Sequence, residues 1–73
     1  MKRLYDTHQN GTKELKGYDY NGIIIDVDYA FSTRSYLGQW IRSGYRVEKL
    51  KEIGKPSWFQ TLKEAKEYID KYL

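Results

Sequence analysis

Asp26 and Asp28 stand two apart in the apolar run Ile23–Ser32. On a strand this spacing puts both carboxylates on one face, where a pair can hold Mg²⁺ or divide acid and base roles. No further ligand set is spaced to help them, so they read as the solvent face of a strand whose other face is core. His8 is the only histidine and lies in a Thr- and Asn-rich segment. One histidine without context supports no Ser/His/Asp triad. The absence of cysteine excludes disulfides, thiolate nucleophiles and Cys-ligated zinc. The six glycines are dispersed and form no phosphate loop. The expectation is a protein that is not an enzyme and takes no metal or cofactor.

The middle of the chain is more informative. Arg34, Tyr36, Trp40, Arg42, Tyr45 and Arg46 interleave, and Lys49 and Lys51 follow. Arginine and lysine pair with phosphates, while tyrosine and tryptophan stack on bases. The same residue types anchor protein–protein interfaces. The competing reading makes Tyr36, Trp40 and Tyr45 core, with the arginines covering its rim through their stems. The formal charge of +3 is concentrated here. Residues 33–55 hold Arg34, Arg42, Arg46, Lys49, Lys51 and Lys55 against Glu48 and Glu52 alone. Such a segment attracts phosphates or an acidic partner.

The elements that must position these side chains belong to one small domain, 1–73, of 8.8 kDa. A chain this short buries only roughly 60% of its unfolded surface. Aromatic residues make up 16% of it and supply the apolar area that a thin core needs. No apolar run reaches the roughly 18 residues of a membrane span. Met1-Lys2-Arg3 is basic, but no apolar segment of a signal peptide follows it. A cytoplasmic protein without a membrane partner is expected.

Thr61-Leu62-Lys63-Glu64 has the spacing of a capping box. Leu62, Ala65, Ile69, Tyr72 and Leu73 then recur at helical spacing, which predicts a helix over 62–72. Phe59 is expected to pin the entering chain to the core. Asn21-Gly22 marks a turn, after which Ile23, Ile25, Val27, Tyr29 and Phe31 alternate with Ile24, Asp26, Asp28, Ala30 and Ser32. That is a half-buried strand with Tyr29 and Phe31 in the core. Residues 45–50 read as another strand, with Tyr45, Val47 and Lys49 on one face. Ser57-Trp58-Phe59 reads as a short extended piece. Over 33–43 a second helix competes with a strand from Tyr36 to Arg42, joined to Tyr45 through a Ser43-Gly44 hairpin turn. The strand is taken, and it puts Tyr36, Trp40 and Arg42 on one face. Asn10-Gly11 joins two short strands, Arg3–His8 and Thr12–Lys16, with a frayed N-terminus as the rival. The expected class is α+β, an antiparallel sheet of three or more strands packed against one C-terminal helix.

The segment Tyr45-Arg46-Val47, Gly54-Lys55 and Phe59-Gln60-Thr61-Leu62-Lys63-Glu64-Ala65-Lys66-Glu67-Tyr68-Ile69-Asp70 resembles a pattern of small phage and prophage proteins. It is also similar to the arm-type DNA-binding domains of tyrosine integrases, which look like the AP2 fold. The resemblance covers roughly the last thirty residues. It implies a three-stranded sheet on one helix, with the sheet entering the major groove. The reading surface would then lie around Trp40, Arg42 and Arg46. The chain departs from the integrase pattern in ending at the helix and in carrying additional N-terminal residues. Residues and resemblance together lead to two expectations. The first is a phage-type module binding double-stranded DNA through a basic-aromatic sheet face. The second is a protein–protein inhibitor of a host enzyme or defence system, similar to anti-CRISPR proteins. A homodimer through a short edge strand stays open.

Overall fold

The computed structural model describes residues 1–33 and 38–73. Five strands follow in chain order: β1 (Lys2–Thr7), β2 (Lys13–Tyr20), β3 (Ile23–Ser32), β4 (Gln39–Arg46) and β5 (Trp58–Phe59). A short helix α1 (Glu48–Glu52) lies between β4 and β5, and α2 (Leu62–Tyr72) ends the chain. The strands form one antiparallel sheet in the order β1-β2-β3-β4-β5. The fold is therefore α+β, with a C-terminal helix over the predicted span.

Local chemistry accounts for the connections. Asn21 and Gly22 both take positive φ, 52° and 85°, as a two-residue hairpin requires. The Asp19 carboxylate accepts from the Gly22 N–H at 2.9 Å and closes that turn. Between β1 and β2, His8 N–H donates to the Thr12 carbonyl, and Asn10 Oδ1 accepts from both Thr12 N–H and the Thr12 hydroxyl. The N-terminal strands thus form a closed hairpin, with β2 extended through Tyr20 rather than stopping at Lys16.

The core lies between one face of the sheet, here the inner face, and the two helices. Ile25 and Val27 of β3, Tyr18 of β2 and Phe59 of β5 meet Val47, Leu50, Ala65 and Ile69. Thr61 caps α2, its hydroxyl accepting from Glu64 N–H at 3.2 Å. Thr61→Ala should cost about 1 kcal/mol, measurable as a lower urea midpoint with an unchanged m-value. At the other end of α2 the Tyr20 hydroxyl donates to the Asp70 carboxylate at 2.9 Å, tying the helix to the β2–β3 hairpin.

That contact gives a pH prediction. The hydrogen bond to Asp70 first, then burial and the Asp70 charge, raise the Tyr20 pKa above the ordinary 10.0. Its contribution is complete below the ordinary phenol pKa and is lost as pH rises through the raised one. In an absorbance titration of tyrosinate, Asp70→Asn should move one late step to lower pH, and Tyr20→Phe should remove it. An unchanged late step in both variants would show that another phenol carries it.

β4 decides between the two readings and corrects one detail. Residues 39–46 form one strand, which favours the strand over its helical rival for the described part, and it runs through Ser43 and Gly44 without a hairpin turn. Gly44 sits inside the strand because the Trp58 ring occupies the place of its side chain; a Cβ would collide with the indole. Residues 48–52 are helical rather than the continuation of a strand over 45–50. A strand would put Lys49 on the face of Val47 and turn Leu50 away. One helical turn puts Val47 and Leu50 on the same side, and both are fully buried.

The sheet forks. β2 and β3 pair only from Gly17↔Asp26 to Tyr20↔Ile23, near their hairpin. The β1–β2 ladder continues to Thr7↔Lys13, and the β3–β4 ladder to Ser32↔Gln39. Beyond Gly17 the two ribbons therefore diverge, bridged where the Tyr29 hydroxyl donates to the Leu15 carbonyl at 2.6 Å. The eleven residues of α2 span about 16 Å, whereas the ten of β3 span about 33 Å. The helix covers one end of the sheet and leaves the forked end bare.

Candidate nucleic-acid interface

Residues directly opposite in a ladder share a face, so the registers sort every side chain of β1–β4. On the inner face of the forked end, Trp40 faces Phe31 and Arg42 faces Tyr29. Tyr5 faces Leu15, Thr7 faces Lys13, and Arg3 faces Tyr18. The carboxylates of these strands, Asp6, Glu14, Asp19, Asp26 and Asp28, all fall on the outer face. The acids of these strands are thus confined to the outer face, where Lys2 and Arg46 also lie, while the inner face carries rings and cations without acids.

The rings of Phe31 and Trp40 meet edge-on, 5.4 Å between centroids at 65°. Both stay open to solvent, Phe31 at 55% and Trp40 at 66%. Gly38, with φ of 71°, seats the Phe31 ring, which would collide with any Cβ there. The sequence periodicity puts Phe31 in the core; the structure leaves it outside because the helix ends short of it. Tyr29 is half-buried against the core and spans the fork.

Arg42 sits among tyrosines. Its Nη1 donates to the Tyr18 hydroxyl at 3.4 Å. The Tyr45 hydroxyl, with burial opposing and Tyr18 and Tyr29 adding smaller effects, holds its pKa above the ordinary arginine value. Among the described residues no carboxylate forms a salt bridge with it. Arg42 and Tyr45 are three apart and would point to opposite faces of a regular strand. A bulge at Ser43, where the register shifts between Asp28 and Tyr29, returns both to the inner face.

Arg46 belongs elsewhere. It faces Asp26 on the outer side, and its guanidinium lies 3.8 Å from Asp28 and 3.2 Å from Glu48. Asp26 and Asp28 do share a face, as their spacing implies, and Arg46 is the counter-ion of Asp28. Lys49 and Lys51 are exposed on α1, outside the ring cluster. Arg34 and Tyr36 lie outside the described residues. Of the eight residues singled out in the sequence, the fold brings together Trp40, Arg42 and Tyr45 and adds Tyr5, Tyr18, Tyr29 and Phe31. The signal for Phe31 lies in the lengths, since a strand of ten residues outruns a helix of eleven, whereas Tyr5 and Tyr18 join this face only through the register of β1 and β2.

Among the described residues the remaining polar groups form no second centre. His8 Nε2 meets Glu14 at 3.0 Å beside the β1–β2 turn, both half-exposed. Among the described residues no group of three potential metal ligands converges, and no helix is long and apolar enough to cross a membrane. Comparison with protein-family profiles, with curated proteins and with solved structures finds no match.

Proposed function

We propose that the protein is a non-enzymatic nucleic-acid-binding module of the phage-accessory kind, and that the inner face of the forked end is its contact surface. The observation that carries this reading is an inner face that holds rings and cations but no acid of β1–β4. Among the described residues Arg42 has no carboxylate partner and stands beside two exposed rings, Phe31 and Trp40, while the acids of β1–β4 occupy the other face. A polyanion with planar bases complements such a surface: phosphate oxygens meet the guanidinium, and bases or sugars meet the rings. Double-stranded DNA in the manner of the integrase arm-binding domains is one form of this function. Fluorescence anisotropy with labelled single-stranded and duplex oligonucleotides over a salt series tests it. Binding should weaken linearly in log–log form as salt rises. No binding of either form at low salt would overturn the proposal.

A second reading draws on the same cluster. Exposed Trp40 beside Arg42, with tyrosines around them, has the composition of an interface hot spot. An inhibitor docking on a host protein with an acidic or apolar surface would use this face. Pull-down of a stoichiometric protein, lost in Trp40→Ala, would favour it over nucleic acid.

A further inference from the structure

We infer that the forked face takes single-stranded nucleic acid in preference to a duplex, with unpaired bases stacked on Trp40/Phe31 and on Tyr5 and the intervening backbone phosphate at Arg42. The inference rests on the nucleic-acid reading and names its substrate class.

The side chains present and the faces a base can offer lead to this class. In a duplex the bases are stacked on each other, and only their edges appear in the grooves, to be read by hydrogen-bonding side chains. The large exposed groups of the inner face are rings: Trp40 at 66%, Phe31 at 55% and Tyr5 at 50%. Rings make their best contact with base faces, which only unpaired nucleotides offer. The Phe31–Trp40 pair is also held before any ligand arrives, by its edge-on contact and by the seat at Gly38. A platform that is already ordered loses little side-chain entropy on binding.

The layout across the strands fits a short single strand. Tyr5 is on β1, and Phe31 and Trp40 are on β3 and β4, at least two strand spacings or about 10 Å away. Arg42 lies between these platforms, since its guanidinium reaches the Tyr18 hydroxyl on β2. Arg3, opposite Tyr18, and Lys13, opposite Thr7, add cations along the β1–β2 ribbon. No acid of β1–β4 shares this face, so the path is free of like-charge repulsion toward a phosphate backbone.

The test uses the whole chain with oligothymidine, a mixed-sequence single strand and the matching duplex at low salt. The single strands should bind at least about ten-fold more tightly than the duplex, and Trp40→Ala should lose about ten-fold or more of single-strand affinity. Arg46→Gln, on the outer face, should bind as the parent does. Tryptophan fluorescence gives a second readout. Single-strand quenching should persist in Trp58→Phe, whose remaining indole is Trp40, and vanish in Trp40→Phe. Duplex binding equal to or tighter than single-strand binding would overturn the inference and leave the nucleic-acid function standing. Quenching that follows Trp58 instead would likewise overturn it. Failure of every oligonucleotide to bind would overturn the proposed function itself.

Discussion

Arg42→Gln is expected to weaken nucleic-acid binding by about 10–100-fold at low salt, the worth of a charge-assisted contact of about 1.5–3 kcal/mol. Glutamine loses the 3.4 Å contact to the Tyr18 hydroxyl but keeps the Cβ–Cγ–Cδ stem among the tyrosines. The substitution therefore removes the charge more than the packing, and the thermal midpoint should change little. One phosphate contact fewer should also flatten the log–log salt slope by about 0.7–0.9. Arg46→Gln supplies the comparison within the same strand. Arg46 is already engaged by Asp28 and Glu48 on the outer face, so its loss should leave both affinity and slope near the parent values. Equal losses in the two variants would mean that the protein attracts its ligand by net charge alone, and the inner face would have no special part.

Gly17→Ala is expected to lower the thermal midpoint by about 10–20 °C, from a cost of about 2–3 kcal/mol. Gly17 is buried in β2 opposite Asp26, at the point where the β2–β3 ladder ends and the ribbons part. A Cβ there would collide with the Ile25 carbonyl oxygen and crowd Asp26 Cα. These are backbone atoms, so relief requires the ladder beside the core to shift rather than a side chain to rotate. Against a total of roughly 4–11 kcal/mol for a chain of this length, that is a large fraction. Gly11→Ala is the control, because Gly11 has a φ of 85° but nothing within 4 Å of an added Cβ. It should cost only about 1 kcal/mol, from left-handed backbone strain. Equal costs at the two sites would show that the close approach at Gly17 is not what demands glycine. Scanning calorimetry of both variants decides the matter.

The parts of the fold that were legible in the sequence are those governed by neighbours along the chain. The α2 helix could be read because Thr61 and Glu64 cap it locally and its apolar stripe has a single period. The hairpin at Asn21-Gly22 could be read because positive φ at both positions selects those residues. The same holds for β3, whose alternation is regular over its length. The segment 45–50 reads as a strand because Tyr45, Val47 and Lys49 alternate, while the pair that decides, Val47 and Leu50, is buried against residues distant in sequence, among them Ile25, Phe59 and Ile69. Gly44 looked like a turn because its real partner, Trp58, is distant in sequence.

The candidate site divides in the same way. By itself the sequence determined that arginine and aromatic side chains are concentrated in one segment, and that Asp26 and Asp28 share a strand face. Both follow from residue order and a period of two. Which side of the sheet each side chain occupies was decided by the tertiary structure. The bulge at Ser43 turns Arg42 and Tyr45 to one face, and the alternation after Tyr45 puts Arg46 on the other, beside Asp28. Whether the rings are core or exposed depended on a further quantity, the reach of α2. A helix rises about 1.5 Å per residue and a strand about 3.3 Å. Elements of nearly equal residue count therefore differ about two-fold in length, and Phe31 and Trp40 lie on the part of the sheet that the helix does not reach.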